Sequence, residues 1–198
     1  MKHRHFLVHK PPRFISQFIY EGKRKGSKGL LGQLYDFPKG TMSIGRLDED
    51  SEGLLFLTTD GKVSHEIRSG KYEKEYYVQV DGIITEEAVL ELQKGVIIGL
   101  KGGIKYQTKP CAARIVDDFG DLPIIARKMR KDVHGPTSWA SITLTEGKFR
   151  QVRKMTAAVG FPTLQLFRIR IGDIYLDLAQ GQVREVERLT SLVDRKEK

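Results

Sequence analysis

The residues best suited to chemistry lie in one stretch, Gly45-Arg46-Leu47-Asp48-Glu49-Asp50-Ser51-Glu52-Gly53. The carboxylates Asp48, Glu49, Asp50 and Glu52 follow a turn-forming glycine and precede the apolar run Leu54-Leu55-Phe56-Leu57, which Asp60-Gly61 ends. A short apolar run closed by Asp-Gly reads as a buried strand leaving the core. An acidic turning loop is thus fixed to a rigid strand, an arrangement that holds a reactive side chain steady. An ordinary solvated acidic turn would have the same composition. A calcium loop fits less well. Asp48, Asp50, Glu52 and Gly53 occupy the first, third, fifth and sixth positions of that pattern. The twelfth is Thr59, where a bidentate glutamate is required.

The other reactive side chains are less organised. His3, His5 and His9 share no helix face and have no cysteine or carboxylate nearby, so they read as incidental strand residues. Cys111 stands alone before Ala112-Ala113 and reads as a small buried residue, which excludes an internal disulfide and suits a reducing cytoplasm. Gly22-Lys23-Arg24-Lys25-Gly26-Ser27-Lys28-Gly29 is basic and glycine-rich, but it lacks the order of a nucleotide phosphate loop. Lys23, Arg24 and Lys25 suit contact with a phosphate backbone, or plain solvation.

Composition bounds the partners. Of 198 residues, 39% are hydrophobic, enough for a core. Lysine and arginine number 34 against 25 acidic residues, a net charge of +9 that suits a polyanion. No apolar run can span a bilayer and no apolar signal region opens the chain, so no membrane is expected.

The elements that would position the acidic loop follow from periodicity. A strand at residues 5–9 stops at Lys10-Pro11-Pro12. Residues 30–37 suggest a short amphipathic helix, 41–45 a strand entering the loop and 62–68 a helix. Residues 72–80 form a strand with Tyr76, Val78 and Val80 on its inward face and Tyr77 on the other. Thr85 caps a helix over 85–93 that rests on Ala88, Leu90 and Leu92. Two short strands fall within 104–116, and 117–136 reads as a surface insertion carrying Arg127-Lys128-Met129-Arg130-Lys131. A strand at 139–144 precedes a helix at 150–159 that buries Val152, Met155 and Val159. Strand 164–171 would project Arg168 and Arg170 together as a charged cleft wall. A last strand at 182–186 and a short helix at 189–193 lead into a frayed basic tail at 194–198.

Four of these pieces carry a resemblance. Gly45-Arg46-Leu47-Asp48 with Ser51-Glu52-Gly53-Leu54-Leu55 resembles the signature loop of the pseudouridine synthases, in the spelling of the branch that modifies ribosomal RNA. Lys10-Pro11-Pro12 resembles that family's lysine-proline turn, and Lys74-Glu75-Tyr76-Tyr77-Val78 its tyrosine motif K-x-Y-x-V. Glu146-Gly147-Lys148-Phe149-Arg150-Gln151-Val152-Arg153-Lys154-Met155, followed by Gly160-Phe161-Pro162, resembles its last motif. The four occur in the family's order and cover most of the chain.

The resemblance implies an α+β fold: a mostly antiparallel mixed sheet with flanking helices and a central basic cleft. It implies one two-lobed catalytic domain over residues 1–193; the branch often carries an N-terminal S4 domain, which is not expected here because the first strand begins at about His5. The implied activity is isomerisation of uridine to pseudouridine in ribosomal RNA, of the large subunit, by a cytoplasmic monomer. Asp48 is the implied nucleophile, Arg153 its cationic partner and Tyr76 the residue that stacks on the flipped base. Arg46, Leu47, Lys10, Arg150 and Lys154 are implied substrate contacts, with Lys23, Arg24 and Lys25 on the backbone. The reaction has no redox step and transfers no phosphate, so no cofactor or metal is expected. The competing reading is a non-catalytic ribosomal RNA binder or assembly factor with the same basic surface.

Overall fold

The computed structural model describes residues 2–20, 28–126 and 135–189. The chain opens with β1 (His5–Lys10), β2 (Phe14–Ile15), β3 (Gly29–Leu30), β4 (Met42–Ile44), β5 (Glu52–Thr58) and α1 (Gly61–Arg68). It continues through β6 (Lys74–Asp81), α2 (Glu86–Lys94), β7 (Ile97–Gly99), β8 (Lys105–Gln107), β9 (Ala112–Ile115), β10 (Thr137–Leu144) and α3 (Gln151–Ala158). It closes with β11 (Thr163–Ile171), β12 (Ile174–Tyr175) and β13 (Val183–Val186). Two compact units result: Met1–Tyr72 with Phe167–Lys198, and Glu73–Leu166. The strand pairing is mixed and mostly antiparallel, and with the three α-helices among the described residues it makes the α+β class expected. None of the described helices is long and apolar enough to cross a membrane.

In the first unit the strands run β13-β1-β5-β11, with β4 also on β5 and β12 on β11. Strand β5 is buried along its whole length. Its side chains alternate between two clusters, so the sheet is covered on both faces and the sequence shows an unbroken apolar run. Leu54 and Phe56 join Leu7, Ile67 of α1 and Ile171, while Leu55 and Leu57 join Phe6, Val8 and Leu31. Asp60 caps α1 by accepting from the N–H groups of Lys62 and Val63. Strand β5 runs parallel to β11 at Glu52 and Gly53, opposite Phe167 and Arg168. Gly53 has φ +105°, and a Cβ there would sit 2.4 Å from the Arg168 carbonyl oxygen. Only glycine lets the two backbones approach this closely.

In the second unit β6 pairs with β10 along its full length, from Lys74 opposite Leu144 to Asp81 opposite Thr137. Strand β9 lies on the far side of β10, and β7 and β8 form a separate antiparallel pair. Thr85 caps α2, and Val152 and Met155 bury the inner face of α3.

Several expectations need correction. Residues 30–37 form only a 3-10 turn at Leu31–Gln33. Glycine weakens a helix there, and the half-buried ring of Phe37 packs edge-on against Phe6. On α2 Val89 is buried instead of Leu90, which is 51% exposed. Tyr77 is 6% exposed and Tyr76 only partly buried, because both faces of β6 are covered and Tyr77 lies under Phe119. Arg168 is no cleft wall. It is 3% exposed and its Nε donates to the Leu54 carbonyl at 2.7 Å, giving a buried cation a backbone acceptor. The basic cluster at 127–131 and the tail at 194–198 lie outside the described residues, as does all but Leu189 of the helix expected at 189–193.

The contrast between two glycines is measurable. Gly53→Ala is expected to lower unfolding stability by at least ~2 kcal/mol, from backbone strain and overlap with Arg168. Gly61→Ala, where a Cβ meets nothing within 4 Å, should change it by no more than about 1 kcal/mol. Urea denaturation of the two variants beside the parent checks both.

Candidate active site

The acidic loop is held on both sides of Asp48. Before it, the Leu47 N–H donates to Ser16 Oγ at 3.0 Å, and the same hydroxyl donates to the Leu47 carbonyl at 2.9 Å. Ser43 Oγ in turn donates to the Ser16 carbonyl at 3.0 Å. After it, the Glu49 carbonyl accepts from the Arg13 N–H at 2.8 Å and from Lys10 Nζ at 3.4 Å, and the Glu49 carboxylate pairs with Lys28 Nζ at 2.9 Å. The Ser51 N–H closes a turn on the Asp48 carbonyl at 3.1 Å. Asp48 itself stays partly exposed and Arg46 is exposed. Fixed backbone on either side of a partly exposed carboxylate is the geometry of a positioned reactive group.

Lys10 lies beneath this loop. Its ammonium donates to the carbonyls of Pro11 at 2.9 Å and Phe14 at 2.5 Å as well as to Glu49. Three acceptors match three N–H groups. At 0% exposure it cannot touch a substrate, so the expected substrate contact is replaced by a positioning one. Burial drives its pKa down to about 7 against the opposing pull of Glu52, Asp50, Asp48 and Glu49. Leu47 is likewise inside, at 6% exposure, and contributes packing and its held backbone. Glu52 is buried and accepts from Gln180 Nε2 at 2.8 Å.

The second unit carries the other motif residues. Tyr76 lies on β6 opposite Ile142, partly exposed. Its neighbour Tyr77 is anchored, with Arg114 Nη2 donating to its hydroxyl at 2.8 Å. On α3, Arg153 is partly buried and Nη1 donates to the Thr163 carbonyl at 3.4 Å. Lys154 Nζ donates to the Gly99 carbonyl at 2.6 Å. Arg150 is exposed and caps the helix with left-handed backbone, φ 52°, a conformation that non-glycine residues adopt at a cost. Lys23, Arg24 and Lys25 lie outside the described residues.

Two groups of anchors went unread in the sequence. Gln151 is buried and its amide donates to Glu146 at 2.6 Å while its oxygen accepts from the Lys148 N–H at 2.8 Å. Glu146 also accepts from the Tyr106 hydroxyl and the Lys109 N–H. Burial opposes its ionisation, but these three bonds outweigh it and hold the carboxyl below its usual range. A polar Gln151 next to the buried Val152 was the available signal. Ser16 gave none. Cys111 donates to the Leu92 carbonyl at 3.2 Å, and burial pushes its thiol up to about 11, so it is not a nucleophile at neutral pH.

Lys10 sets a pH test. Its folded pKa lies below the unfolded value of 10.5, so between about pH 7 and 10 the unfolded chain binds more protons there and stability rises with pH. Relative to Lys10→Met, the parent is expected to gain stability as pH climbs from about 7 to 10, with no difference in slope below 7. Urea unfolding of both at several pH values checks it, and parallel curves throughout would overturn the buried-ammonium assignment.

The family model described as RNA pseudouridylate synthase matches residues 4–158, a span that includes the Asp48 loop, Tyr76 and Arg153. The chain is 40% identical to "Ribosomal large subunit pseudouridine synthase E" of Xanthomonas axonopodis pv. citri, over 86% of this chain and 87% of that one. It is 31% identical to "Ribosomal small subunit pseudouridine synthase A" of Haemophilus influenzae, over 93% and 73%. A solved structure, "Crystal structure of pseudouridylate synthase", superposes with a TM-score of 0.75 at 29% identity, covering 98% of this chain and 73% of its own. The chain is an enzyme of the RNA pseudouridine synthase family.

Proposed function

We propose that the protein isomerises a uridine of large-subunit ribosomal RNA to pseudouridine, with Asp48 as the nucleophile. The observation that carries this is the loop geometry: backbone anchored at Leu47 and Glu49, with the Asp48 carboxylate left partly exposed between them. The higher identity to a relative named for the large subunit, 40% against 31%, supports that subunit.

The reaction breaks the bond from uracil N1 to the sugar and forms one from C5 to the same carbon. N1 gains a proton and C5 loses one. A carboxylate nucleophile can hold the reacting centre while the base turns. In this reading Arg153 supplies the cation that keeps such a carboxylate ionised. Tyr76 stacks on the uracil. Arg46, exposed at the loop's start, enters the RNA as the target base leaves its stack. Arg150 and Lys154 grip the backbone, and Lys23, Arg24 and Lys25 add phosphate contacts. The enzyme acts as a monomer in the cytoplasm.

Tritium release from large-subunit RNA labelled at uridine C5 tests this. The wild type should release label and Asp48→Asn none. Arg153→Lys should slow turnover on the order of 100-fold, since an ammonium does not reproduce a planar fork. Release by Asp48→Asn would end the nucleophile assignment. A silent wild type, on naked RNA and on pre-ribosomal particles alike, would favour a binding factor.

A further inference from the structure

The second unit bears an exposed aromatic surface to which the reaction assigns no role. Phe149 is 74% exposed although it sits inside the last motif, in the turn between the half-buried Glu146 and the buried Gln151 that opens α3. Folding gains little from a phenyl ring left in water. The ring is nonetheless held in a built setting. Lys154 Nζ lies 5.5 Å from its centroid and is pinned by the Gly99 carbonyl of β7. Beside it, Lys148 Nζ lies 4.7 Å over the ring of Tyr106 on β8. The left-handed backbone of Arg150 separates the outward Phe149 from the inward Val152.

Apart from Glu146, whose carboxylate is taken up by Tyr106, Lys109 and Gln151, the flanking segments are cationic. Residues 94–109, which contain the β7–β8 hairpin, hold four lysines and no acidic residue. Residues 147–154 hold four cations and again no acid. Lys101 and Lys105 are exposed at the hairpin tip, where Gly102 and Gly103 leave open space. An exposed ring among cations, with one cation already fixed beside it, is the composition of a stacking site for single-stranded nucleic acid.

We infer that Phe149 stacks on an unpaired base of the RNA other than the target uridine, while Lys101, Lys105 and Lys148 contact the adjoining phosphates. This rests on the reading of ribosomal RNA as substrate. The site sets affinity and choice of RNA, not the chemical step.

Binding of a large-subunit ribosomal RNA transcript, measured by filter retention across a salt series, tests it. Phe149→Ala should weaken binding about ten-fold. Phe149→Trp should restore it. The salt dependence of the alanine variant should match the parent, because no phosphate contact is lost. The double change Lys101→Gln with Lys105→Gln should flatten the slope of log K against log salt by about two. In tritium release, Phe149→Ala should raise KM by the factor lost in binding and keep kcat. Parent-like affinity in Phe149→Ala overturns the inference, and so does an equal loss in Phe149→Trp. The two readings fail separately. A wild type that binds RNA through Phe149 but releases no tritium ends the isomerisation. One that releases tritium with an affinity indifferent to Phe149 ends this site alone.

Discussion

An ammonium group with no access to water fastens the Asp48 loop to the first strand. Lys10 is fully buried, and its three N–H groups reach the carbonyls of Pro11, Phe14 and Glu49. A charge in such a place is costly unless hydrogen-bonded and faced by opposite charge. The chain provides both, with buried Glu52 the strongest opposing pull. Removing the ammonium would take a donor from the Pro11 and Phe14 carbonyls and leave Glu49 with Arg13 alone, so the lysine and the path of the loop depend on each other.

The second unit repeats the device with opposite sign. Glu146 is a carboxylate surrounded by donors from Tyr106, Lys109 and Gln151. It fixes the turn before α3 as Lys10 fixes the turn around Asp48. In each unit hydrogen bonds satisfy an ionic group, fully buried for Lys10 and half-buried for Glu146, and motif residues follow in sequence. Buried polar networks that are fully paired give a loop one conformation.

Much of this was legible because burial leaves periodicity behind. The run Leu54 to Leu57 announced a buried strand and Thr85 announced the helix start it caps, whereas Asp60 read only as the strand's end although it caps α1. The motif order announced the fold family, which alternation alone could not. What stayed hidden were the cations that go inside. Lys10 read as a substrate contact and Arg168 as a cleft wall, because lysine and arginine are almost always at a surface. Their acceptors are main-chain carbonyls, Glu49 and Leu54 among them, which the identity of a residue does not advertise. Tyr76 and Tyr77 misled for a related reason. Alternation assigns faces but cannot say that Phe119 covers the second one.

A sealed amine is also a clock. Reagents that acylate lysines need the free amine in contact with solvent, and most of the other described lysines offer that directly. Lys10 offers it only in the moments when the segment around Pro11 and Phe14 lifts away from Glu49. The rate at which label accumulates on this one residue therefore counts local openings of the Asp48 loop. Bound RNA that clamps the loop would slow that count without touching Lys10.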